Sequence, residues 1–228
     1  MEKLLYPLWK LEGASASDFR DRLLGEVASA LLDSGVHHLR LSVVDEAVAP
    51  ADGLRQDKLG PTLDAMLSLW VDSANDRANW EAIIAPVCDH FAGYLVTESE
   101  PLKHDAPLGE RMAGWTQVVF LERPAGMSES DWLSVWLGSH TAVAIDTQST
   151  FAYRQNVVVR TLTEGAPTIH AIVEESFPAA AMDSPHAFYA ADSDEALQAN
   201  INAMIESVAR FIDFERINVV PTSEYRLS

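Results

Sequence analysis

The chain has 228 residues with 34 acidic against 16 basic side chains, a formal charge of -18 and an isoelectric point near 4.6. A field of that sign repels phosphate backbones and anionic lipid, so neither a nucleic acid nor a membrane surface is an expected partner. Hydrophobic residues at 48% and charged residues at 22% are ordinary for a folded globular chain. No apolar run approaches the roughly 20 residues needed to cross a bilayer, and the opening lacks the basic and apolar regions of a signal peptide. A cytoplasmic protein is expected.

In chain order, residues 4–9 read as a strand. Ser15-Ala16-Ser17-Asp18 then reads as a cap before a helical pattern that runs through Leu31 and ends near Gly35. Residues 39–44 are rich in strand formers, and Leu63-Asp64-Ala65-Met66-Leu67 follows as a further strand. The lone Cys88 excludes an intramolecular disulfide and a thiolate-rich metal site; in an apolar-periodic segment it is expected to be a buried, unreactive thiol.

The same order then recurs. Val118-Val119-Phe120-Leu121 is again a strand, and Ser128-Glu129-Ser130-Asp131 again precedes an amphipathic stretch, so that Asp18-Phe19 matches Asp131-Trp132. Leu39 to Val44 aligns with Tyr153 to Val158, and Leu63 to Leu67 with Ile169-His170-Ala171-Ile172-Val173 without a gap. Each copy closes with a second helix and a related tail, residues 95–100 against 219–224. Each copy carries about half of the charge. The fold class predicted is α+β: two tandem ferredoxin-like βαββαβ repeats, residues 1–102 and 115–228, joined by a polar linker at 103–114. Each sheet needs cover on the face its helices leave bare, so the two antiparallel sheets are expected to pack into one intrachain α+β barrel.

Trp132, Trp136 and His140 spaced Trp-x-x-x-Trp-x-x-x-His, the run from Ile145 to Phe151, and Ala171-Ile172-Val173-Glu174-Glu175-Ser176-Phe177 together resemble the EthD domain family of the dimeric α+β barrel superfamily. The ending Pro221-Thr222-Ser223-Glu224-Tyr225 is similar to that of tandem members. The resemblance implies fold more than chemistry, because the superfamily includes lactone isomerases, cofactor-independent monooxygenases, polyketide cyclases, dehydratases and members without known activity.

Divergence between the copies points to a site. The first helix of the first copy presents Phe19, Leu23, Val27 and Leu31, a plain core stripe, whereas its counterpart presents Trp132, Trp136 and His140. Leu41 and Ser42 become Gln155 and Asn156, and Ser68 becomes Glu174. An imidazole among aromatics can act as acid or base near neutral pH, and Glu174 is its expected partner on the wall of a second-copy pocket. Tyr153 or Asn156 would steady an oxyanion. His140 could instead cap a helix end, and the indoles could be plain core. Glu174 and Glu175 are consecutive on a strand, so they face opposite ways and one of them is expected to be solvated. A long insertion carrying His186, Phe188 and Tyr189 is expected to cover the pocket.

No metal-ligand spacing, Gly-rich phosphate turn or nucleophile elbow occurs, so neither a metal nor a cofactor is expected. Three readings follow. The first is a cofactor-independent lyase, isomerase or cyclase acting on a small apolar carbonyl or aromatic metabolite. The second is a non-catalytic small-ligand-binding or stress-associated protein that holds such a ligand in the same pocket, and the third is a structural or assembly module without one. The expected assembly is a monomeric pseudo-dimer or a homodimer.

Overall fold

A computed structural model describes residues 1–228. The first half contains β1 (Glu2–Lys10), α1 (Ala16–Arg22) and α2 (Ala28–Asp33) joined by a π-helical turn at Leu23–Val27, β2 (His38–Val43), β3 (Gln56–Asp57), β4 (Ala65–Val71), α3 (Ala78–Ile84), β5 (Cys88–Phe91) and β6 (Tyr94–Leu102). The second half contains β7 (Trp115–Leu121), α4 (Glu129–Val135) and α5 (Thr141–Thr147) joined by a π-helical turn at Trp136–His140, β8 (Ala152–Thr161), β9 (Ala171–Phe177), α6 (Pro185–Phe188), α7 (Asp194–Val208) and β10 (Ile217–Arg226).

Eight strands pair in the order β2-β4-β1-β6-β8-β9-β7-β10, and β10 pairs back onto β2. All of these pairings are antiparallel. The fold is therefore a mixed α+β protein built on a closed antiparallel barrel, and closure leaves none of the eight strands with a long free edge. Numbered from its own start, each half contributes its strands in one order: β2-β4-β1-β6 and β8-β9-β7-β10.

The long helices begin where their sequences direct. Ser15 Oγ accepts a hydrogen bond from the Asp18 amide at 3.0 Å and Ser128 Oγ from the Asp131 amide at 3.1 Å, each filling one of the orphan donors of a first turn. Both helices are interrupted at the same place by a π turn, Leu23-Leu24-Gly25-Glu26-Val27 and Trp136-Leu137-Gly138-Ser139-His140. Each turn has glycine at its centre. The segment between β6 and β7 ends at Gly114, where φ is +93° and an added Cβ would lie 2.1 Å from the Phe177 carbonyl oxygen; only glycine allows the chain that close to β9.

Apolar side chains gather in four regions, of which Trp115, Phe177, Val48, Ala51 and Ala181 make the smallest. Leu5, Met66, Val118, Phe120, Ile172 and Val220 fill one end of the barrel interior. On the outer face of the first half, Phe19, Leu23, Val27 and Leu31 pack onto Leu4, Tyr6, Leu39 and Leu69. Trp132, Trp136, Val119, Val173 and Met204 form the corresponding layer of the second half. Cys88 is buried in the first-half layer as expected, and burial pushes its thiol up to about 11. No helix is long and apolar enough to cross a membrane.

Candidate functional site

The second outer layer encloses a cavity of about 260 Å³, lined by twenty residues of which fifteen are hydrophobic. It lies between the outer face of β7, β9 and β10 and the helices above them. The apolar wall includes Trp136, Tyr153, Phe188, Tyr189, Phe211 and Phe214; the polar members are Gln56, Gln117, His140, Gln148 and Glu175. Its volume sits near the lower edge of small-molecule sites, about 300–1,000 Å³.

Strand register sets the floor. Gln117 pairs with Glu175 and Glu175 with Tyr153, so the three form one cross-strand row facing the helices. Gln117 Nε2 donates to Glu175 Oε2 at 3.3 Å. That is the carboxylate's one protein hydrogen bond. Burial pushes the Glu175 carboxyl up to about 7, against a smaller lowering by Gln117. An acid so placed exchanges a proton near neutral pH, as a general acid or base must. Burial also raises the Tyr153 hydroxyl, and the neighbouring Glu175 charge adds to it, so the phenol stays protonated.

His140 looks onto the same space from the π turn. It is buried, its ring packs 4.7 Å from that of Phe211, and Nδ1 lies 3.0 Å from Ser207 Oγ. Burial, reinforced by Arg210, lowers its pKa to about 4, so the imidazole is neutral at pH 7. No carboxylate is paired with it. A π turn is a frequent device at functional positions because the extra residue re-aims side chains; here the Trp136 carbonyl accepts from the Thr141 amide and also from Thr141 Oγ1 at 3.0 Å.

The expected partnership of His140 with Glu174 is not formed. Glu174 faces the barrel interior, where Lys3 Nζ lies 3.0 Å from Oε1 and Arg154 Nη1 2.8 Å from Oε2. Burial alone would raise it, but Lys3, Arg154 and Arg40 outweigh burial and hold its carboxyl well below the usual carboxylate range. It is a structural anion. The second of the two glutamates is not solvated either: Glu175 is buried on the helix side and takes the place foreseen for Glu174.

Of the other expected residues, Trp136, Tyr153, Phe188 and Tyr189 line the cavity with His140. Trp132 does not, being buried in the layer behind and donating from Nε1 to the Phe211 carbonyl at 2.9 Å. Asn156 is in the barrel, donating to the Ile172 carbonyl and to Glu174. His186 is on the exterior beside Asp194, at 3.0 Å. Only part of the insertion covers the pocket. The residues missed in the sequence are Glu175 and Gln117, and the pair Leu54 and Gln56 from the first half. Strand alternation offered the first two, since whatever Glu174 faces Glu175 must oppose. No three His, Cys, Asp or Glu side chains converge as metal ligands would.

The EthD domain profile matches residues 124–215, and the expectation of an EthD domain is met over that segment. No curated protein matches the chain. Among solved structures, an anthrone oxidase-like protein is 14% identical, with 99% of this chain and 92% of that one covered and a TM-score of 0.54. A protein provisionally called a chlorite dismutase is 10% identical, with 100% and 94% covered and a TM-score of 0.50. At such identities these likenesses carry the barrel fold alone.

Proposed function

We propose that the second-half cavity binds a small apolar or aromatic metabolite bearing a carbonyl, and that Glu175 transfers a proton on it without a cofactor, as in a lyase, isomerase or cyclase. The observation that carries this reading is a buried carboxylate with a pKa near 7 on the floor of an aromatic-lined cavity. The ionised Glu175 takes a proton from the carbon beside the carbonyl, and the electron pair moves onto the carbonyl oxygen. Return of that proton to a different atom gives an isomer, and its delivery to a departing hydroxide gives a dehydrated product. Gln117 holds the carboxylate in place. The anthrone oxidase-like neighbour is consistent with a polycyclic aromatic ketone as ligand class, on fold alone.

The chain itself we read as a tandem duplication of a ferredoxin-like unit, a pseudo-dimer within one polypeptide. Support comes from the shared strand order, the paired serine caps and the paired π turns.

The test is a thermal-shift screen of hydroxylated aromatic ketones, followed by mass-spectrometric detection of deuterium exchange at the carbon beside the carbonyl. Wild type should bind and exchange, and Glu175→Gln should bind without exchanging. Binding by both with no exchange by either would leave a non-catalytic ligand carrier; no binding by either would sink the reading.

A further inference from the structure

His140 carries a second, independent piece of information, because its surroundings select one of two neutral forms. Ser207, on α7, is buried, and its Oγ has two polar neighbours. Arg210 Nη2 donates to it at 3.3 Å, and His140 Nδ1 lies 3.0 Å away. A guanidinium has no acceptor, so the hydroxyl oxygen must accept from Arg210. Arg210 is itself steadied by Ser139, next to His140 in the π turn, to whose hydroxyl Nη2 donates at 3.0 Å. Ser207 Oγ makes no hydrogen bond to a backbone carbonyl, so Nδ1 is the one acceptor its buried proton has. A ring nitrogen that accepts is bare, and in a neutral imidazole the proton is then on the other one.

From this we infer that Arg210 and Ser207 hold His140 in the Nε2–H form, so that the imidazole presents a hydrogen-bond donor to the cavity and serves as the acceptor-binding pole opposite Glu175. The inference rests on the proposed carbonyl-bearing ligand and sharpens it. The ligand is one whose carbonyl oxygen meets His140 Nε2–H while the carbon beside it faces Glu175. A buried, neutral N–H aimed where negative charge develops stabilises an enolate without itself giving up a proton. Ser207 and Arg210 are positioning residues, acting through His140. No carboxylate contacts the ring, and Phe211 packs on it, so nothing near it favours the imidazolium.

The tautomer can be read without any ligand, from long-range proton–nitrogen correlation spectra of the full chain at pH 7, with His140→Gln identifying the signals. Wild type should show protonated Nε2 and bare Nδ1. Ser207→Ala should convert this into a mixture of both neutral forms, and Arg210→Gln, a change at an exposed side chain that leaves packing intact, should shift the balance the same way. Ser207→Thr, which keeps the hydroxyl, should retain the wild-type pattern. Wild type in the Nδ1–H form, or as the imidazolium, would overturn the inference, as would Ser207→Ala and Arg210→Gln spectra identical to wild type. Failure to find any bound ketone would sink the proposed function and leave the tautomer standing; the wrong tautomer would sink this inference and leave Glu175 in its cavity.

Discussion

The two halves place the same elements in the same order, yet one outer layer is filled and the other is hollow. The register shows which residues make the difference. Tyr6 pairs with Leu67, and Val119 pairs with Val173, the match of Leu67; so Val119 stands where Tyr6 stands in the first half. By the same register Gln117 stands at Leu4 and Glu175 at Leu69. In the first half Tyr6, Leu4, Leu69 and Val27 close a continuous core. In the second, a smaller side chain opens space, and two strand residues and His140 bring polarity to its walls. The two halves therefore divide the packing unequally: one outer layer keeps a filled core, and the other carries the cavity.

The largest contrast between the halves should appear in the barrel interior, at Arg154 and Arg40, which occupy matching positions on β8 and β2. Arg154 bridges two buried carboxylates, with 2.8 Å to Glu174 and 2.7 Å to Glu224. Arg40 is 3.8 Å from Glu100 at the barrel mouth, where both side chains reach solvent. Removing one member of a buried ion cluster leaves the rest uncompensated, at about 3–5 kcal/mol, whereas a partly exposed pair contributes about 0–1 kcal/mol. Arg154→Leu should accordingly lower the urea midpoint far more than Arg40→Leu. Equal losses would mean that the buried cluster is not the asymmetric support it looks to be.

Most of the fold was legible in the sequence because strand alternation, serine caps and the recurrence of both are local signals. His140, Trp136, Tyr153, Phe188 and Tyr189 were legible because they break the match between the two halves of the sequence. Which way Glu174 and Glu175 point was not legible, since period-2 alternation fixes that they oppose each other and leaves open which side is the barrel. The tails illustrate the same limit. The sequence aligned 95–100 with 219–224, but Lys3 pairs with Val96 while its counterpart Thr116 pairs with Thr222, a shift of two residues. A two-residue slip keeps every side chain on its face, so the pattern cannot detect it. Leu54 and Gln56 were invisible for another reason. They belong to a segment with little periodicity that leaves the first half and is held on β10 by two residue pairs, Gln56 with Val219 and Asp57 with Asn218.

The next effect, on the order of 3 kcal/mol on each side, separates the cavity from its filled counterpart through pH. Glu175 has its pKa raised to about 7, so the native state holds a proton that the unfolded chain has lost. Its stabilising contribution is complete in acid and disappears as pH climbs from about 4.5 to about 7. His140 is lowered to about 4, so the unfolded chain takes up a proton that the native state refuses. Its contribution is complete above about 6.5 and is lost as pH falls towards 4. Over the shared window the two slopes oppose each other in wild type. Glu175→Gln should leave stability rising with pH relative to wild type, and His140→Gln should leave it falling. Urea titrations at several pH values between 4 and 7.5 read both signs. Parallel curves for all three proteins would contradict the burial of these groups.

A smaller change in stability should have a larger consequence for binding. Val119→Phe places a large ring where the first half has Tyr6 and should fill much of the cavity. Added volume costs about 1–3 kcal/mol in a well-packed core, and a void that accepts the ring removes most of that cost. The melting temperature should stay close to that of wild type while the shift induced by any aromatic ketone disappears. Retained binding would place the ligand outside this layer.

The smallest effect tests likeness instead of difference. Ser15 and Ser128 cap the first helices of the two halves with nearly the same geometry, at 3.0 and 3.1 Å. Each cap satisfies one amide of a first turn beside an acidic residue, Asp18 or Asp131, that also favours the positive helix end. Ser128 Oγ donates in addition to Asp131 Oδ2 at 2.7 Å, and Ser15 Oγ meets Ser17 Oγ at 3.1 Å, so both hydroxyls have one further polar neighbour. Replacement of such a cap by alanine costs about 1 kcal/mol. Ser15→Ala and Ser128→Ala should therefore lower the urea midpoint by similar amounts, and the double variant by about their sum, because the caps share no partner. A Ser128→Ala loss several times that of Ser15→Ala would mean that the helix over the cavity depends on its cap more than the helix over the filled core does. The hollow layer would then be costing its own half the tertiary packing that makes a cap dispensable.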